Sequence, residues 1–383
     1  MAPELALAAM QGLAPGARIL DPMSGSGTVL RHASLSGHRS VGFDLDPLAV
    51  LVSRVSSRKV HIGKVAALGN DVLERVARRR LNDVVLPWLD NCEETSRFVC
   101  YWFGTKQRNA LRKLAYALRE VEEDAGRGAK QHVDVLRIAL SRIIITKENG
   151  ASLARDISHS RPHKVQDVSD YDVIAGFKTS LSQVIRFLED ELPLEDSDVR
   201  LGDARNLSLD AKSIDLVVTS PPYLNAIDYL RGHKLSLVWF GYTIEQIRRI
   251  RAGSIGAERG PQELGTPLRT QIESAMVDGT RLTKRDRGMV SRYADDLLRM
   301  VGEIRRVLKT GGKAVMIVGD CCVDSVFVSN SEGVKEAAKI NGLRFVSQAS
   351  RDLPSNKRYL PITSGSALSR RLRTENVLTF CSA

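Results

Sequence analysis

Five consecutive residues, Thr219-Ser-Pro-Pro-Tyr223, combine a hydroxyl, two ring-locked backbone positions and an aromatic face. Proline lacks an N–H and fixes φ, so a Pro-Pro turn presents carbonyl acceptors in a stiff frame without competing donors. The Pro221 carbonyl and the Ser220 hydroxyl are therefore suited to accept from an exocyclic –NH2 group. Tyr223 offers a flat face on which a nucleobase can stack, an interaction worth about 1–3 kcal/mol. The lone pair of such an amino group is delocalised into its ring. Two acceptors on its protons draw the nitrogen toward tetrahedral geometry and free the lone pair for in-line attack on an electrophilic carbon. The catalytic candidates are Ser220, Pro221, Pro222 and Tyr223, and no nucleophilic cysteine is required.

A second group follows an earlier apolar run: Asp21-Pro-Met-Ser-Gly-Ser-Gly-Thr28. Glycines at a strand-to-helix turn let backbone approach a ligand closely, and the helix N-terminus behind them favours negative charge. Asp21, Met23, Ser24, Gly25, Gly27 and Thr28 are the candidates there. Asp44 ends the next apolar run, where a carboxylate can accept two hydrogen bonds from a ribose diol. Gly202-Asp203-Ala204-Arg205 ends a third, and Asp203, with Ala204 beside it, can accept from an adenine amino group. Together these describe a pocket for an adenosine-containing ligand.

Other polar clusters suit a polyanion. Arg155, His159 and Arg161 lie in a run of cations and hydroxyls, the side chains that contact phosphates. Asp228, Tyr229 and Arg231 follow the proline turn closely enough to contact the same substrate. Pro162 separates His159 from His163 and disfavours a helical His pair, so no metal site is expected.

The elements that must hold these groups alternate. Short apolar runs at residues 17–20, 40–43, 198–201, 214–219, 314–318, 343–347 and 376–380 read as strands. Tyr293, Leu297, Val301, Ile304 and Leu308 fall on one helical face, with Gly311-Gly312 as its stop. Strands alternating with helices predict an α/β, Rossmann-like, mostly parallel doubly wound sheet. In such sheets ligands bind beyond the strands' carboxyl ends, and each candidate motif lies there. The expected catalytic domain is 1–62 with 196–383. Residues 63–195 read as an inserted helical subdomain, with helical periodicity at 71–80, 106–123 and 133–145, and a role in target recognition. Residues 242–290, rich in Gly, Arg and Thr, read as a mobile loop insertion.

Composition agrees with a polyanion-binding protein: Lys and Arg exceed Asp and Glu by 56 to 45, giving a net charge of +11. Five scattered cysteines suggest neither a disulfide framework nor a zinc site. No apolar run approaches the roughly 18 residues of a membrane span, and with no leader pattern the expected location is cytoplasmic.

Asp21–Thr28 and Ser220–Tyr223 resemble motif I (D-P-x-x-G-S-G-T) and motif IV (S-P-P-Y) of the amino-methyltransferases acting on DNA, with Asp44 and Asp203 at that family's acidic positions. The resemblance extends over roughly 200 residues and omits both insertions. It implies a class I methyltransferase fold and S-adenosyl-L-methionine as cofactor, bound by Asp21, Gly25, Gly27, Asp44 and Asp203. It also implies DNA as substrate, held by Ser220, Pro221 and Tyr223. In that family S-P-P-Y goes mostly with cytosine N4 and D-P-P-Y or N-P-P-Y mostly with adenine N6, so N4-methylcytosine is the expected product and a restriction endonuclease an expected partner. The chain departs in order, because cytosine-N4 enzymes usually place S-P-P-Y before the cofactor motif. An F-P-A-R-like segment is also not visible, and Met1-Ala-Pro-Glu4 stands where its remainder would fall. Transfer-RNA guanine-N2 methyltransferases resemble the order found here, which makes RNA the alternative substrate.

Overall fold

The computed structural model of the chain describes residues 2–155, 162–224, 228–256, 266–278, 282–323, 326–352 and 374–383. In chain order it begins α1 (Pro3–Met10), β1 (Arg18–Asp21), α2 (Thr28–Leu35), β2 (Arg39–Asp44), α3 (Pro47–Ser56) and α4 (Ile62–Arg78). Next come α5 (Pro87–Asp90), α6 (Glu93–Trp102), α7 (Thr105–Ala125), α8 (Lys130–Ile144), β3 (Ala154–Arg155), β4 (His163–Lys164) and α9 (Val173–Asp190). Then follow β5 (Asp198–Leu201), β6 (Ile214–Thr219), α10 (Leu230–Leu237), α11 (Ile244–Ala252), α12 (Pro267–Met276) and α13 (Lys284–Val307). The chain ends with β7 (Leu308–Gly319), β8 (Cys321–Val323), β9 (Val326–Val328), α14 (Asn330–Ile340), β10 (Leu343–Asp352) and β11 (Thr374–Ser382).

Two compact units share these elements. One comprises Met1–Leu45, Glu195–Ile227 and Ala252–Ala383, the other Asp46–Leu194 and Asp228–Arg251. The first holds a seven-stranded sheet of order β10-β11-β7-β6-β1-β2-β5. Its strands run parallel except β11, which is antiparallel to both β7 and β10. That order, with the reversed strand next to the edge, is the Rossmann-like sheet of class I methyltransferases.

Burial explains the central strands. Ile19 and Leu20 of β1 and Leu216, Val217 and Val218 of β6 are fully buried, the near-continuous apolar run of a strand covered on both faces. Successive side chains point to opposite faces. Ile19, Leu216 and Val218 join α1 and α2 residues in one core, while Leu20 and Val217 join Leu297, Val301 and Ile304 of α13 in another. From β1 the chain proceeds outward to β2 and β5 on one side and through β6 to β7 on the other. The β1/β6 seam is therefore the switch point, where a crevice opens beyond the carboxyl ends.

The second unit is mainly helical. α4, α7, α8 and α9 pack around Val72, Leu111, Leu114, Leu118, Leu136 and Phe177. Among the described residues of the chain, no helix is long and apolar enough to cross a membrane.

Several expected boundaries move. The division falls at Leu45/Asp46, not 62/63, because Leu48, Leu51 and Val55 of α3 bury into the helical core. Residues 228–251 belong to that unit too. The segment 242–290 is not wholly loop: α11, α12 and the start of α13 occupy it, each seating few apolar side chains, such as Ile247 in α11 and Ile272 and Met276 in α12. Such sparse apolar residues gave the sequence its loop-like composition. Gly311-Gly312 does not end α13, which stops at Val307; both glycines lie within β7. α9 escaped notice although Val173, Phe177, Leu181, Val184 and Leu188 recur at helical spacing.

One glycine sets how closely α2 approaches the sheet. A β-carbon on Gly42 of β2 would sit 2.3 Å from Leu30 Cδ1 and 3.2 Å from Ser24 Cβ. Leu30 is fully buried and has little room to move. Gly42→Ala is expected to destabilise the protein by about 1–3 kcal/mol through overpacking. A urea titration would show a lower midpoint at unchanged slope; an unchanged midpoint would mean that α2 does not dock this tightly.

Candidate active site

The turn after β1 is shaped by backbone rather than side-chain crowding. Gly25 and Gly27 have φ of 51° and 81°, the left-handed region that favours glycine. A β-carbon on Gly25 would meet nothing within 4 Å, so conformation alone accounts for this glycine. The turn is fastened to the end of β2: Ser24 N–H donates to the Phe43 carbonyl at 2.8 Å, and Gly25 N–H to Asp44 Oδ2 at 2.8 Å. Gly27 is the cap residue of α2, and no side chain caps that helix. Met23 and Thr28 are half-buried on the turn and Ser24 is buried.

Asp21 lies beneath it. Its side chain accepts from Met23 N–H at 3.2 Å and from the Thr219 hydroxyl at 2.8 Å. Burial pushes its pKa up to about 7, against the lowering effect of these two hydrogen bonds. Because β1 and β6 are neighbours, the Asp21–Thr219 bond joins the last residues of the two strands at the switch point. The glycine turn and the proline turn thus begin from one corner.

At the proline turn Pro221 is buried, Pro222 exposed, and Ser220 and Tyr223 half-buried. Ser220 Oγ donates to the Ile317 carbonyl at 3.1 Å. A hydroxyl has one proton and two acceptor lone pairs, so with this proton committed it meets a substrate as an acceptor. The Pro222 carbonyl accepts from the buried Tyr293 hydroxyl at 3.0 Å. No described residue donates to the Pro221 carbonyl. Tyr223 packs against the core and its hydroxyl reaches Glu375 Oε1 at 3.4 Å.

Asp203, after β5, is partly occupied. Arg205 Nη2 donates to Asp203 Oδ2 at 2.7 Å, and Arg205 N–H and Nε to Oδ1 at 2.9 and 3.0 Å. Burial opposes ionisation of Asp203, but these bonds and the charge of Arg205 hold it below the usual carboxylate range. Arg205 also reaches Asp296 of α13 and the Gly253 carbonyl, and Asp296 Oδ2 accepts from Gly256 N–H at 3.1 Å. Ala204 is buried beside this network.

One unit therefore gathers Asp21, Met23, Ser24, Gly25, Gly27, Thr28, Asp44, Asp203, Ala204 and Ser220–Tyr223 around the ends of β1, β2, β5 and β6. Arg155, Asp228, Tyr229 and Arg231 belong to the other unit. Arg155 is exposed on β3 and donates to the Glu148 carbonyl at 2.8 Å. Asp228 accepts from Arg231 and Arg251. His159 and Arg161 lie outside the described residues.

Thr219, Arg205, Asp296, Tyr293 and Glu375 were not among the expected site residues. Tyr293 reads in sequence as one more core residue of its helix. Its only distinguishing signal is a buried hydroxyl that must find a partner.

No family model matches the chain. Over 275 residues it is 22% identical to the type II methyltransferase M.BsoBI of Geobacillus stearothermophilus, an alignment covering 64% of this chain and 51% of that protein. The chain thus spans about half the length of the curated relative it matches. It is similar to a solved TehB-like SAM-dependent methyltransferase of Corynebacterium glutamicum, at 11% identity over 100% of this chain and 87% of that one, with TM-score 0.32. It is also similar to a presumptive DNA modification methylase of Thermus thermophilus, at 18% identity over 47% and 50% of the two chains, with TM-score 0.25.

The state of Asp21 is measurable. A carboxyl whose folded pKa exceeds its unfolded one binds more protons when folded, so its contribution to stability is full below about pH 4 and is lost as pH rises through about 7. Asp21→Asn keeps an oxygen for both donors and removes the titration. The variant should match the parent near pH 4 and exceed it above pH 7, by at most about 4 kcal/mol for a three-unit shift. Parallel urea-stability curves from pH 4 to 8 would contradict a raised pKa.

Proposed function

We propose that the protein transfers a methyl group from S-adenosyl-L-methionine to an exocyclic amino group of a nucleobase in DNA, with cytosine N4 as acceptor. The observation that carries this reading is the Thr219–Asp21 hydrogen bond, which starts the donor-side and acceptor-side turns from one corner of the sheet. The resemblance to S-P-P-Y enzymes and the similarity to a type II methyltransferase support it further.

The residues present suit the cofactor's groups. Asp44 and Asp203 are acceptors for ribose and adenine. Asp21 is a buried carboxyl to which a cationic ligand would restore charge. When bound, the cofactor supplies an electrophilic sulfonium methyl. The chain's own work is orientation: Ser220 and the Pro221 carbonyl accept from the two amino protons, Tyr223 stacks on the ring, and the amino nitrogen is aimed along the S–CH3 axis. The nitrogen lone pair forms the N–C bond as the C–S bond breaks, the bonding pair leaves with sulfur, and one amino proton passes to water. Positioning of this kind can supply up to about 7–11 kcal/mol.

Incubation with methyl-labelled cofactor and either DNA or RNA, followed by nucleoside mass spectrometry, should yield labelled N4-methylcytosine from DNA. Label confined to RNA, or appearing as N6-methyladenine, would overturn the substrate assignment. Tyr223→Ala should lower kcat/KM about 5- to 150-fold, the equivalent of one lost stacking contact, while the cofactor Kd stays unchanged. Undiminished turnover in that variant would refute base stacking.

A further inference from the structure

Just after the proline turn, within the helical unit, three cations converge on one carboxylate. Asp228 Oδ2 accepts from Arg231 Nε at 3.3 Å and from Arg251 Nε. Lys234, one turn along α10 from Arg231, feels the charges of Arg251, Asp228 and Arg231. Three positive groups against one negative leave an excess of two, and Lys234 has no ion-pair partner among the described residues. Its ammonium instead sits over the Phe98 ring, 5.3 Å from the centroid, a contact that fixes the charge without neutralising it. Burial first, and then Arg251, draw Lys234 below the usual lysine range, with Asp228 opposing.

The cluster remains open to solvent, with Arg251 and Arg231 side chains 44% and 35% exposed. Next to Asp228 in sequence stands Tyr229, 49% exposed. Its ring stacks on His233 at 6.1 Å and 28°, and His233 Nδ1 is held 2.6 Å from Asp46 Oδ2. A braced, exposed aromatic ring beside unneutralised cations is the pairing by which proteins hold a nucleic-acid strand: ring against base, cations against backbone.

We infer that Arg231, Lys234 and Arg251, ordered by Asp228, form a binding site for a backbone phosphate of the nucleic-acid strand, with Tyr229 as a platform for an adjacent base. This rests on the nucleic-acid reading above and gives Asp228 a different part in it. Its carboxylate repels phosphate and serves to arrange the cations rather than to touch the substrate.

The test is the salt dependence of binding of a fluorescein-labelled duplex DNA, followed by anisotropy between about 50 and about 200 mM KCl. Lys234→Gln and Arg251→Gln should each make the slope of log Kd against log[KCl] shallower by about 1. Arg251 is exposed enough for its variant to fold even if loss of the Lys234–Phe98 contact perturbs the other. Arg78→Gln, on an exposed pair with Glu74, is the control and should leave the slope unchanged. Tyr229→Ala should weaken binding without altering the slope. If the parent binds with a steep slope that neither Lys234→Gln nor Arg251→Gln changes, the cluster is a surface ion-pair network and the site is refuted while the nucleic-acid reading survives. If the parent shows no salt-dependent binding to DNA, both fall. If inorganic phosphate at matched ionic strength displaces DNA from the parent and fails to do so from Lys234→Gln, the site takes a free anion and the assignment to the strand is overturned.

Discussion

A buried hydrogen bond, 2.8 Å from Thr219 Oγ1 to Asp21 Oδ1, joins the carboxyl ends of β1 and β6. At that seam the sheet's connectivity reverses, and the chain departs from each strand in a turn of contrasting chemistry. The turn after β1 is glycine-rich, with left-handed backbone angles and its N–H groups fastened to β2. The turn after β6 is proline-rich and displays acceptors. A buried carboxyl with only neutral donors is an expensive element of a core, because burial disfavours its charge and neither Thr219 nor Met23 compensates it fully. The seam is therefore poised for a positively charged ligand, and sulfonium methyl donors carry such charge.

Around this corner the polar groups divide by what their protons are doing. Ser220 has committed its proton to Ile317 and Tyr293 has committed its own to Pro222, so the proline turn faces outward as acceptors. Asp203 is held ionised by Arg205, which also fixes Asp296 and, through it, Gly256. A β-carbon on Gly256 would stand 3.6 Å from the Tyr223 carbonyl and from the Tyr293 ring. The acidic position expected to meet the cofactor's adenine and the tyrosine expected to meet the base are thereby members of one packed and hydrogen-bonded set. The chain leaves the sheet unit just after β2, and again after the turn that carries Tyr223, and both excursions build the helical unit.

Much of the sheet was legible because parallel central strands must be apolar on both faces: β1, β2, β5 and β6 coincide with the expected runs to within a residue or two. The glycine and proline turns were legible for a different reason, since both depend on residues whose backbone restrictions are intrinsic. What the sequence hid was long-range pairing. Nothing near Arg205 announces that it will meet Asp296, 91 residues on, and Thr219 reads as a strand terminus until β1 is laid beside it. Unit boundaries were hidden too. α3 follows β2 directly, and only its burial among α8 and its neighbours assigns it to the helical unit. Segment 242–290 misled because α11 and α12 each bury only one or two side chains, leaving little apolar periodicity to detect.

The account's central claim is that methyl donor and amino acceptor meet where Asp21 and Thr219 join. A crystal structure of the protein with S-adenosyl-L-methionine bound tests it most directly. The account predicts the methionine ammonium near Asp21, the ribose on Asp44, and the sulfonium methyl directed toward the acceptor groups of Ser220 and Pro221. Cofactor density away from the β1/β6 seam, or a methyl directed away from the Ser220–Tyr223 turn, would contradict it.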